Sequence, residues 1–230
     1  MRAYLVDWLA ELHFKFKMLP ETLYVAIRIM DGYLAVVTDI NKNDLQCLGL
    51  AALLIAGKYE EIYPPDLKTI LRVVNQVVTK AEILKMEMNV LTTLQFEVTF
   101  PSIHRFSERF ARLAQMNDRQ QLLAQYFADT TLLDCSLVKE RQSKVAACCI
   151  YAAQLVFKGP TTQKGLLWNS MLSRHTSYRE SDLNGMAQDL ITFVRKVQKS
   201  SFLTMKNKYS SAKYGEVANV MDEFERSVNL

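Results

Sequence analysis

The sequence predicts an all-α chain built as two tandem five-helix domains. Three observations predict it. Only 7 glycines and 5 prolines occur among 230 residues, half of them apolar, a balance that favours helices over turn-rich sheets. Two stretches, 45–56 and 145–157, are apolar nearly all round and rich in small residues, the pattern of a helix buried on every side. The chain also repeats itself. AALLIAGKY from Ala51 echoes AACCIYAAQ from Ala146, and EILKMEMNVL from Glu82 echoes DLNGMAQDLI from Asp182. A period of about 95–100 residues indicates duplicated domains, not a solenoid of short units. The boundaries read as 1–100 for the first domain, 101–200 for the second and 201–230 for a tail.

The elements follow in order. Residues 1–18 read as a helix whose apolar face is Leu5, Trp8, Leu9, Leu12 and Phe16. Pro20 suits a helical first turn and Glu21 complements its dipole, so a second helix runs to about Val37, burying Leu23, Ala26, Ile27, Met30 and Leu34. Asn41 or Asn43 can cap the central helix, where Gly49, Ala51, Ala52, Ala56 and Gly57 let neighbours approach closely. That helix ends abruptly in Lys58-Tyr59-Glu60-Glu61, and Pro64-Pro65 forbids its continuation. A short helix spans 66–74. Thr79 with Glu82 forms a capping box that starts a fifth helix, to about Leu94. After Pro101, helices are expected over 102–114, 118–137, 140–157, 166–173 and 179–199, with Gly159-Pro160 stopping the third. Beyond Ser200 the pattern weakens to a last short helix or a frayed end.

Composition excludes several classes. No apolar run approaches the ~20 residues a membrane span needs, and no secretory leader is visible, so the expectation is a soluble protein without a membrane partner. The net charge of +4 comes from interleaved acids and bases, which leaves no stripe for nucleic acid. Cys47, Cys135, Cys148 and Cys149 lack metal-ligand spacing and read as reduced core thiols. The glycines form no phosphate loop, and no catalytic or metal constellation of recognisable context appears. The protein is therefore expected not to be an enzyme and to need no cofactor.

Three strings carry a resemblance: MRAYLVDWLAELH at the start, PETLYVAIRIMDGYL after it, and ALLIAGKYEEIYPP at the end of the central helix. Together they resemble the first cyclin box of mitotic cyclins, most nearly the B-type. The match is dense over 1–101 and looser to about Val217. It implies two cyclin-box domains and the role of a regulatory subunit that binds and allosterically activates a cyclin-dependent protein kinase near mitosis, in nucleus and cytoplasm. The family's N-terminal helix and degradation signal would precede Met1.

The resemblance also implies roles for particular residues. Lys58 and Glu87 match the lysine and glutamate that hold the kinase's helix C and the strand before it; as a tip residue and a mid-helix acid, both are expected to stay solvated in the free chain. Tyr59, Leu91, Phe96 and Val98 match apolar positions that pack on the kinase. Lys58 becomes Gln154 in the second repeat and Glu87 becomes Ala187, so the two charges single out one copy. Met1, Leu5, Trp8, Glu11, Leu45 and Gln46 match a patch that docks Arg-x-Leu substrates or inhibitors, through an apolar slot for Leu and an acid for Arg. Tyr4 and Lys42 stand in that patch where the family has an aliphatic residue and Arg. Arg2 and Asp31 each lie among apolar residues, where a charge needs a partner, and the family pairs the matching residues. Two other readings use the same fold: a two-box transcription factor that grips DNA, and a cyclin of the transcription kinases.

Overall fold

The computed structural model describes residues 1–41, 44–74, 78–158 and 167–228, with side chains described as far as 224. The described residues contain helices and no strand. The chain divides into two compact units, Met1–Phe100 and Pro101–Leu230.

The first unit holds α1 (Arg2–Lys15), α2 (Pro20–Val36), α3 (Asp44–Glu60), α4 (Leu67–Val73) and α5 (Lys80–Thr93). Every residue of α3 from Cys47 to Gly57 is buried, and α1, α2 and α5 pack around it. The small residues make this possible. A Cβ on Gly49 would sit 3.0 Å from Leu5 and 3.3 Å from Leu9, so α1 rests directly on bare α3 backbone. On α1, Leu9 and Leu12 are buried while Leu5 and Trp8 are half-buried; the helix expected over 1–18 ends at Lys15, with Phe16 as its half-buried C-cap.

Helix starts follow their caps. Pro20 occupies the first turn of α2. Asp66 accepts the Thr69 N–H at 2.6 Å. Thr79 and Glu82 form the reciprocal capping box. These bonds favour the ionised acid, with the backbone N–H the largest cause in each case, and they hold the Asp66 and Glu82 carboxyls below their ordinary range. Asn43, one candidate cap of α3, lies outside the described residues, and the Asn41 carbonyl accepts the Asp44 N–H.

The second unit repeats the plan with α6 (Ile103–Leu113), α7 (Asp118–Thr131), α8 (Gln142–Lys158), α9 (Ser170–Thr176) and α10 (Glu180–Gln198). Here α8 is the rod, buried from Val145 to Gln154 and packed by α6, α7 and α10. Three expectations need correction. The helix expected over 118–137 ends at Thr131, because Asp134 accepts the Ser136 N–H and starts a tight 3-10 turn, Cys135–Lys139. Cys135 is consequently exposed, not core, while the other three thiols are buried. The helix expected over 166–173 begins instead at Ser170, capped by Asn169. Leu166 and Gly159-Pro160 lie outside the described residues.

The segment after Ser200 is part of this unit. It forms α11 (Thr204–Tyr209) and α12 (Val217–Val228), which pack on α7, and α12 also touches α8. Met205, Tyr209, Val217 and Met221 are fully buried. Asp129 of α7, 1 % exposed, accepts from Lys208 Nζ at 2.7 Å and from Tyr209 Oη at 2.8 Å. The Lys208 ammonium also lies 4.8 Å from the Tyr209 ring centre and 5.4 Å from that of Tyr214.

Candidate functional site

The first unit exposes a face along the end of α3 and one side of α5. On α5, Ile83, Glu87 and Val90 are buried. Leu84, Met88 and Leu91 follow at helical spacing beside Glu87; Leu84 and Met88 are exposed and Leu91 half-buried. Lys58, in the last turn of α3, reaches this stripe. Its Nζ donates to Glu87 Oε1 at 2.6 Å, with the lysine side chain 51 % exposed and the glutamate side chain 11 %. The pair therefore has a wet cation and a dry anion. An ion pair at this distance joins the two helices at the rim of the exposed face.

The remaining matched positions gather nearby in sequence and exposure. Tyr59 is 49 % exposed, and its hydroxyl shares a 2.7 Å hydrogen bond with Thr99 Oγ1. Phe96 is 63 % exposed, on a left-handed turn in which Gln95 and Phe96 have φ of 51° and 61°. An aromatic at positive φ is uncommon, and here the Phe96 N–H is held by the Leu91 carbonyl at 2.8 Å. Val98 is half-buried. Ile62 and Tyr63 are 85 % and 91 % exposed. Leu84, Met88, Ile62 and Tyr63 are additions to the residues singled out by sequence. For Leu84 and Met88 the signal is their i, i+3, i+4 and i+7 spacing with Glu87 and Leu91.

Glu61 has a different role. Its Oε1 accepts from the Leu19 N–H at 2.7 Å and from the Thr22 hydroxyl. This caps the start of α2 from the end of α3, where α2's own N-cap residue, Leu19, has no side-chain acceptor.

A second cluster lies where α1 meets the start of α3. Met1 and Tyr4 are 73 % and 64 % exposed and Glu11 is exposed, while Leu5, Trp8, Leu45 and Gln46 are half-buried. Met1, Leu5 and Trp8 form one stripe at i, i+4 and i+7, and the contact of Leu5 with Gly49 puts it beside the first turns of α3. Lys42 lies outside the described residues. Below this stripe Arg2 and Asp31 make a two-pronged pair, Nε to Oδ1 at 2.7 Å and Nη2 to Oδ2 at 2.7 Å, with side chains 17 % and 10 % exposed. It ties the start of α1 to the last turns of α2.

The second unit lacks the charge pair. Aligned string to string, Ala153 opposes Lys58 and Gln154 opposes Tyr59, so Gln154, read from the sequence as the counterpart of Lys58, lies one position beyond it. Ala153 is fully buried, Gln154 is 7 % exposed with its Oε1 unpartnered among the described residues, and Ala187, in the place of Glu87, is fully buried. Among the described residues no group of His, Cys, Asp and Glu could hold a metal ion, and no helix is long and apolar enough to cross a membrane.

Known proteins resemble this chain over nearly its whole length. Residues 1–99 match the family described as cyclin, N-terminal domain, and 101–223 match cyclin, C-terminal domain. Cyclin-A1-4 of Oryza sativa subsp. japonica is 40 % identical over 95 % of this chain and 61 % of its own length. Cyclin-B1-1 of the same organism is 36 % identical over 95 % of this chain and 48 % of its own. The G2/mitotic-specific cyclin-B of Dictyostelium discoideum is 36 % identical over 96 % and 49 %. The chain thus spans about half to three-fifths of the length of these relatives. A-type and B-type relatives match it equally well. Among solved structures, a viral cyclin from herpesvirus saimiri superposes with a TM-score of 0.71 at 17 % identity, covering 89 % of this chain and 86 % of that one, a likeness of fold. Two cyclin domains in tandem, matched from end to end, make this chain a member of the cyclin family.

Proposed function

We infer that the chain is the regulatory subunit of a cyclin-dependent protein kinase and acts near mitosis. One observation carries this reading: the Lys58–Glu87 pair stands at the rim of an exposed apolar face that the rest of the unit does not cover. Solvent-exposed Tyr59, Met88, Phe96, Ile62 and Tyr63 on one small domain make a surface suited to a protein partner. The kinase supplies ATP, Mg²⁺ and the catalytic carboxylate. The regulatory subunit supplies contact energy that is larger in the active kinase state, with helix C held inward so that its glutamate pairs with the strand lysine. In this reading Lys58 and Glu87 meet polar groups of that helix, and the apolar side chains supply buried area. The names of the relatives, G2/mitotic-specific cyclin-B among them, support the timing, and nucleus and cytoplasm are the compartments this role requires.

The stripe of Met1, Leu5 and Trp8 with Leu45, Gln46 and Glu11 is the proposed dock for Arg-x-Leu segments of substrates or inhibitors. Half-buried Trp8 offers an apolar wall and exposed Glu11 an acid for the arginine. Exposed Tyr4 narrows the slot relative to an aliphatic residue. No role in binding nucleic acid or membrane is proposed.

The test is reconstitution. The purified chain, mixed with candidate cyclin-dependent kinases, should co-elute on size exclusion, bury more than about 1,000 Å² and raise kinase activity by orders of magnitude. No complex with any such kinase would sink the assignment.

A further inference from the structure

The second unit carries a groove for which neither the kinase reading nor the repeat accounts. It has a volume of about 420 Å³ and runs between α8, α10 and the 3-10 turn before α8. Leu137, Val145, Met186, Leu190 and Phe193 give it an apolar lining. Its charged groups are all of one sign. Asp134, Glu140 and Asp189 line it, and among the described residues no Lys or Arg does. The Lys144 ammonium, 3.7 Å from Glu140, lies outside the lining.

Gly185 makes the groove unusual. It lies within α10, where glycine is the poorest helix former short of proline. A Cβ there would meet nothing within 4 Å, so among the described residues no neighbour requires its absence. This contrasts with Gly49, whose missing Cβ makes room for Leu5 and Leu9. The bare backbone of α10 at Gly185 is open to an outside group, and it lies in the lining of the groove.

We propose that this groove docks a segment of a partner protein that lays an apolar side chain across Gly185 and sets flanking Lys or Arg side chains on Asp134, Glu140 and Asp189. The apolar lining supplies burial, and the three carboxylates select a basic segment and steer its approach. The volume suits two or three side chains, not a folded domain. The site lies wholly within the second unit, so it stands or falls apart from the kinase-facing residues of the first.

The experiment uses the whole chain and two labelled ten-residue peptides, read by fluorescence anisotropy at low salt. One carries Leu-Phe flanked on both sides by lysines, a sequence without the Arg-x-Leu spacing. The other carries the same Leu-Phe flanked by glutamates. The lysine peptide is expected to bind and the glutamate peptide at least tenfold more weakly. Gly185→Leu fills open space in a helix, so it should keep or raise the melting temperature while weakening the lysine peptide at least tenfold. Asp189→Lys should weaken it similarly. The proposal is overturned if the lysine peptide fails to bind at millimolar concentration, if both peptides bind alike, or if Gly185→Leu folds and binds normally. It is also overturned if Trp8→Ala abolishes binding and Gly185→Leu does not, which would put the peptide on the first unit.

Discussion

Lys58 Nζ donates to Glu87 Oε1 across 2.6 Å, and it is the anion, not the cation, that is buried. A sequence reading of a tip lysine and a mid-helix acid expects both to be solvated in the free chain. The structure corrects this, since Glu87 is 9 % exposed and is held by Lys58 before any partner arrives. The two substitutions are therefore unequal. Lys58→Ala leaves a buried carboxylate without its cation and should cost about 1–3 kcal/mol of stability, toward the low end because half of the lysine is in water. Lys58→Ala with Glu87→Ala removes both charges and should melt closer to wild type than Lys58→Ala alone. Kinase affinity should fall in both, by about 2–5 kcal/mol, roughly 30- to several-thousand-fold. Gln154→Ala should leave activation unchanged. Thermal melts beside kinase titrations check this. A double variant that binds and activates normally would end the role given to the pair.

Trp8 separates docking from folding. It is half-buried, so Trp8→Ala should lower the melting temperature modestly. Phosphorylation of Arg-x-Leu substrates should drop severalfold or more, while a short peptide without that motif keeps its rate. Equal loss on both substrates would make Trp8 packing only.

Lys208 and Asp129 test the attachment of the chain after Ser200. Their side chains are 9 % and 2 % exposed, and the bond is 2.7 Å. Lys208→Ala should cost about 3–5 kcal/mol, because the carboxylate loses its cation in a dry site. Tyr209→Phe, which removes one hydrogen bond and keeps the ring, should cost about 1 kcal/mol. Limited proteolysis should then cut first after Ser200 in the lysine variant. Unchanged melting and unchanged digestion would refute a structural role for the cluster.

Thiol chemistry gives a prediction with a pH sign. Burial pushes the Cys47 thiol up to about 11 and Cys148 up to about 12, and holds Cys149 well above its ordinary value. A raised thiol is protonated at pH 8, and only the thiolate attacks a disulfide reagent. Exposed Cys135 should react at once and the other three only after unfolding. Fast reaction of two or more in the native chain would contradict the packing.

The starts of α2, α4 and α5 were legible because each has a local chemical cause within three residues, Pro20, Asp66 and Thr79, whereas α9 begins four residues beyond its expected start. Helix ends were less so. The apolar run Leu132–Leu133 continues the period of α7, and what stops the helix is the Asp134 side chain turning back on Ser136. Burial was legible for α3 and α8, which are apolar all round. No burial was read for Leu84 and Met88, because apolar residues on both sides of α5 hide which side the neighbours cover. The anchoring of α11 was invisible for another reason. Its partner Asp129 lies 80 positions from Tyr209, and no local pattern spans that distance. For the candidate site, the charges Lys58 and Glu87 stood out by their absence from the second repeat, whereas their mutual bond needed coordinates.

Glu61 closes the end of α3 onto the start of α2, through the Leu19 N–H and the Thr22 hydroxyl. The turn that follows Lys58 and Tyr59 is thus clamped onto the start of α2 by Glu61. A surface held this way is preorganised, so little conformational entropy is lost when a protein seats on it. Association should then run at the rate of an oriented encounter between rigid bodies, about 10⁵–10⁷ M⁻¹s⁻¹, without a slow ordering step on this side of the complex. Loosening Glu61 would slow arrival as well as hasten departure, whereas a change to an apolar contact on the face itself would act chiefly on departure.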